Sequence, residues 1–172
     1  SSMPVSMASS DTPIKTLAAH IKNYKGYDQR EARPQSDKAI RARLIQAIEA
    51  LIAQPTAKFK AADSQEQTDL HERVERTKRK LNTICSSLNS PTYHDAAFFS
   101  TASLPSHVTE RIYELEHSMM EEIEHIDMEF SALRQTPADV ETFEDHFLHI
   151  KNFIDNINQS LFEREALIVG DE

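Results

Sequence analysis

Between Pro137 and Ile168, the residues Val140, Phe143, Phe147, Ile150, Ile154, Ile157 and Leu161 recur at alternating steps of three and four. That spacing puts all seven on one face of a single long helix. An apolar face of this length has to be covered by other helices with matching faces, which commits the chain to an all-α fold before any other segment is read. It names no ligand and no reaction.

The covering helices can be read in order. Ile14, Leu17, Ile21 and Tyr24 line one side of a short N-terminal helix with Asp11 as its cap, Pro13 in its first turn and Gly26 at its end. Tyr27 to Arg33 reads as a ragged charged continuation that Pro34 interrupts. Ser36 opens a second helix to about Gln54, whose wide face of Ile40, Leu44, Ile45, Ile48, Leu51 and Ile52 calls for two or more neighbours. Pro55 stops it, and Phe59 in the following connection tucks back onto the core.

Ser64 and Gln67 form a capping box that starts the third helix, which runs to about Asn89 with Leu70, Val74, Thr77, Leu81, Ile84 and Leu88 at heptad spacing. A connection of about 17 residues carries Phe98 and Phe99, which either plug an end of the bundle or belong to a partner surface. The fourth helix, Ser106 to about Gln135, has a ladder of Val108, Ile112, Leu115, Met119, Ile123, Ile126, Phe130 and Leu133. A tight turn with Thr136 as cap and Pro137 behind it makes the fourth and fifth helices an antiparallel hairpin. The expected architecture is an elongated antiparallel bundle of four main helices plus the short N-terminal helix, over residues 11–170, after a disordered lead of residues 1–10.

Composition and charge narrow the functional classes. Two Gly and no Trp leave too few turn residues for a sheet protein. The net charge of −9 is unevenly spread: residues 1–90 hold 15 Lys and Arg against 10 Asp and Glu, whereas 91–172 hold 4 against 18. A basic first half and an acidic second half are expected to attract within one bundle. The basic run Arg73, Arg76, Arg79 and Lys80 lacks interleaved aromatics, and overall acidity argues against nucleic acid as partner. The single Cys85 excludes an intrachain disulfide and suits a reducing, cytoplasmic address. No run of 18 apolar residues is present, so no membrane partner is expected.

Eight histidines among many carboxylates raise metal binding, by Fe or Zn, as the alternative function. Glu114 with His117 and Glu122 with His125 have the Glu-x-x-His spacing of di-iron bundles, and His146 with His149 lies one turn apart on the fifth helix. The ladders, however, place His117, His125, His146 and His149 on outward positions, and no inward Glu or His completes a cage. Glu110 to Glu129 reads as a solvated acidic face. No catalytic or cofactor-binding residue is assigned, and no cofactor is expected. The preferred expectation is a non-enzymatic bundle acting through a protein partner or as a homodimer. Its interface candidates are Phe98 and Phe99 in the long connection and a second stripe on the last helix, Leu148, Phe153 and Phe162.

Overall fold

A computed structural model describes residues 12–135 and 139–170. The expected lead of residues 1–10, the Asp11 cap and the Thr136–Pro137 turn lie outside the described residues. Five helices carry the fold: α1 (Pro13–His20), α2 (Arg33–Ile52), α3 (Ser64–Asn89), α4 (Ser106–Gln135) and α5 (Val140–Val169), with single 3-10 turns at Arg30–Ala32, Thr56–Lys58 and Ala97–Phe99. The molecule is an all-α helical bundle. Among the described residues no helix is long and apolar enough to cross a membrane.

The helix ends show where local chemistry differs from the expected boundaries. α1 stops at His20, and Asn23 turns the chain through a left-handed conformation at φ 68°. Ile21 and Tyr24 are still buried, but as loop residues. Gly26, at φ +83°, does not end the helix; a Cβ there would lie 2.7 Å from the Tyr113 hydroxyl, so the position needs glycine for both conformation and space. Pro34 does not interrupt a helix but sits in the first turn of α2, where a missing N–H costs nothing. Ser36 and Asp37 are therefore inside α2 and buried, and the Ser36 hydroxyl accepts the Lys25 N–H at 3.0 Å.

Asp63, not Ser64, caps α3, accepting the Glu66 N–H at 2.8 Å, while the Gln67 side chain turns back to the Ala61 N–H at 2.7 Å. Asp139 caps α5 by accepting the Thr142 N–H at 2.8 Å, and Gly170 ends it in the left-handed region at φ 83°.

Side-chain contacts fix how the long helices run. Along α4 and α5, Arg111 meets Glu163, Glu116 meets Arg164, Glu122 meets Asn156 and Glu129 meets His146, so the two are antiparallel. α2 and α3 are also antiparallel, with Arg41 on the Leu88 carbonyl near one end and Lys78 on the Gln54 carbonyl near the other. Arg73 ties α3 to Glu144 of α5. The α5 face, from Phe143 through Phe147, Ile150, Ile154 and Ile157, is buried as its spacing requires. Phe59 does fold back, edge-on to Phe130 at 5.3 Å. In addition, α1 and the loop after it pack on the first half of α4. This extra neighbour buries Thr109, Tyr113, Glu116, His117 and Met120, residues that the α4 ladder alone leaves outside.

Candidate functional site

The expectation of no inward polar constellation is overturned at this end of the bundle. Glu116 of α4 is fully buried, and Arg164 of α5 and Asp37 of α2 are nearly so. Arg164 uses every nitrogen of its guanidinium. Nε donates to Glu116 Oε2 at 2.8 Å, Nη1 to the Tyr93 hydroxyl at 2.9 Å, and Nη2 to Asp37 Oδ1 at 2.7 Å and the Tyr27 hydroxyl at 3.2 Å. The tyrosines pass the bonding on: Tyr24 and Tyr27 donate to the two Glu116 oxygens, and Tyr93 donates to Asp37 Oδ1 at 2.7 Å. Arg41 closes the far side, with Nε on Asp37 Oδ2 at 3.1 Å.

Two carboxylates thus face two guanidinium groups, with three phenols donating further hydrogen bonds to them. Charge taken out of water is costly unless it is paired and hydrogen-bonded, and here each charged group is both. Burial pushes the Glu116 carboxyl above its ordinary value, against the opposing pull of Arg164, Tyr24 and Tyr27. Burial also works against the charge on Arg164, but Tyr27, Glu116, Tyr93 and Asp37 outweigh it and hold the guanidinium protonated. Burial raises all four tyrosines of the chain, Tyr93 and Tyr113 to about 12, and Tyr24 and Tyr27 further still.

Beside this cluster, the fully buried Arg33 binds backbone only. Its Nε donates to the Tyr27 carbonyl at 2.7 Å and its Nη1 to the carbonyls of Thr101 at 2.6 Å and Phe98 at 3.2 Å. The two longest connections are thereby clamped together. Phe98 is buried against Tyr27, and half-buried Phe99 stacks on Tyr93, so these two phenylalanines close the bundle end.

Chemically, the cluster is a latch. A general acid or base has to face a substrate, and both Glu116 oxygens instead face Tyr24, Tyr27 and Arg164 of the same chain. A crevice of about 200 Å³, lined in part by Arg41, Tyr93, Arg164 and Glu165, touches the cluster at its edge. Cys85 is buried, and burial followed by the Glu49 charge raises its thiol, the reverse of an activated nucleophile.

The four candidate histidines fall in three different settings. His117, expected outside, is buried under the extra packing on α4; its Nδ1 lies 2.9 Å from Glu121 Oε1 and its Nε2 is buried without a partner. His125 is half-buried with its ring 5.0 Å from that of Phe153. His146 and His149 both reach Glu129 across the α4–α5 seam, His149 at 3.1 Å, so His146 is a half-buried clasp rather than an outward group. Among the described residues no three His, Cys, Asp or Glu side chains are grouped to hold a metal ion.

The second stripe of α5 is split by the same packing. Phe153 turns to His125 and is half-buried, whereas Leu148 is 56% and Phe162 74% exposed. Met128 of α4, which the sequence pattern did not single out, is exposed as well. Leu148 borders a groove between α3 and α5 with Phe147 and Ile154 in its lining and Arg76, Lys80 and Lys151 around it. In comparisons with known proteins, no family model, curated protein or solved structure matches the chain.

Proposed function

We propose that this protein is a non-enzymatic interaction module that associates with a second copy of itself through the outer face of α5. The observation that carries the reading is the exposure of Phe162 and Leu148 on α5, with Val169 exposed at its end, while Phe143, Phe147, Ile150, Ile154 and Ile157 of the same helix are buried. Large apolar side chains held in water by a rigid helix are what an interface buries. The interior supports the same reading, because its charged and phenolic groups already have partners within the chain. Metal binding draws less support, since His146 and His149 meet the single carboxylate of Glu129 and no group of three or more donors fit for a metal ion is found among the described residues. A reducing compartment suits the buried Cys85.

Light scattering after size-exclusion chromatography tests the proposal. The mass should rise with loading concentration from 19.6 kDa towards twice that value. A constant monomer mass up to about 100 µM, where even weak specific contacts are populated, rejects self-association.

A further inference from the structure

The acidic second half of the chain neutralises its basic first half only in part. Arg73 reaches Glu144, and Arg41 and Lys78 have acids on their own helices, but among the described residues Lys22, Lys38 and Arg43 have no carboxylate partner. All three line one groove of about 820 Å³, between α2 and the end of α1 with the loop after it, and no described Asp or Glu lines it with them. The acids in this part of the chain are turned elsewhere. Residues 12–27 contain none. Of the two acids of α2, Asp37 is buried against Arg41 and Arg164, and Glu49 lies towards α3, where its charge acts on Cys85. Glu31, ahead of α2, pairs with Arg30.

The shape of the groove selects among anions. Its α2 wall is the line Gln35, Ala39, Ala42 and Gln46, at steps of four, three and four, so small side chains lie between two amides. From Gln35 to Gln46 this line runs about 16 Å, the length of about five extended residues. Lys38 and Arg43 stand on opposite edges of it, about 140° apart around the helix axis. A single phosphate group would need these cations to converge on one point. A long polyanion would run past the groove onto a chain that carries 28 Asp and Glu against 19 Lys and Arg. A short extended peptide meets neither obstacle: its successive side chains point to opposite sides, towards the two edges, and its backbone offers both donors and acceptors to Gln35, Gln46 and Asn23 of the facing loop. We propose that this groove binds an extended acidic peptide segment of a partner protein. The proposal is independent of self-association through α5.

The test is fluorescence anisotropy of a fluorescein-labelled peptide of alternating Asp and Glu, about six residues long to span the groove, titrated with the full chain at low salt. Anisotropy should rise to saturation with half-binding below about 1 mM, and the counterpart peptide of Asn and Gln should not bind. Lys38→Glu with Arg43→Glu should weaken binding about tenfold or more, whereas Lys58→Glu with Lys60→Glu, the same change of charge on exposed lysines outside the groove, should alter it by less than about twofold. Ala42→Trp, which fills the floor and keeps every charge, should also weaken binding several-fold. Unchanged helical circular dichroism shows that each variant is folded. No rise in anisotropy overturns the proposal, and so does equal weakening by the two charge-reversed pairs, which would mean a diffuse field rather than a seat. Displacement of the peptide by sodium tripolyphosphate at lower concentration than by unlabelled peptide would overturn it in favour of phosphate groups. A lower mass of the Lys38→Glu, Arg43→Glu protein in light scattering would make a second copy the occupant and overturn it likewise.

Discussion

Around Glu116 this bundle buries charge where apolar side chains are the rule, and along the outer face of α5 it exposes phenylalanine and leucine where polar side chains are the rule. The two departures differ in how they are completed. Glu116, Arg164 and Asp37 find every partner inside the chain, through tyrosines from two loops and Arg41 of α2. Phe162 and Leu148 remain in water. A polar cluster that is complete within the chain specifies how the elements fit together, whereas an exposed apolar face is the kind of surface that the proposed association would cover.

The contrast breaks most severely at Arg164. Arg164→Met leaves two buried carboxylates without their shared cation and should cost about 3–5 kcal/mol in denaturant unfolding. Adding Glu116→Gln should restore part of that loss, because the second change removes one stranded charge. Gly26→Ala comes next, at roughly 2 kcal/mol by thermal unfolding, since it combines an unfavourable φ with a clash against the Tyr113 hydroxyl.

Asp139→Ala should lower the melting temperature modestly through loss of the α5 cap. The Thr142 N–H holds the Asp139 carboxyl below its ordinary value, so this contribution is present above the usual carboxylate range and disappears as the pH falls through the folded value. The variant and the parent should therefore converge in acid. The smallest effect on folding is expected from Phe162→Asp, below about 0.5 kcal/mol, although the same change should leave the protein monomeric in light scattering. A loss of stability comparable with that of Arg164→Met would show that Phe162 belongs to the core.

The elements were largely legible, because a stripe at steps of three and four reports burial against two neighbours. It says nothing of a third. α1 and the loop from Ile21 to Gln29 cover the first half of α4, and so Glu116 and His117, outward by the ladder, are inside. Asp37 is a similar case. A cap at Ser36 would set it at a helix start, but α2 begins at Arg33, with Pro34 in its first turn, and turns Asp37 into the bundle.

The one available signal for the latch was the set of tyrosines. All four flank the connections or the start of α4, and phenols are suited to burying a ring while bonding a charge. Phe153 could not be separated from Leu148 and Phe162 by spacing, because its burial depends on His125 of a different helix. The clasp of His146 and His149 on Glu129 needs the register of α4 against α5, which a single helix pattern does not contain.

Ultraviolet titration of tyrosine ionisation tests most directly that the polar cluster is a closed latch. The chain has four tyrosines and no tryptophan, and burial raises every one of them above its ordinary value of 10.0. A raised phenol contributes stability in full below that value and loses it as the pH climbs towards 12. The folded protein should show almost no phenolate absorbance at pH 10, with the signal appearing near or above pH 12 together with loss of helical circular dichroism. Tyrosines that ionise near pH 10 while the helices stay intact would show that the cluster is open to water, and would contradict its role as a latch.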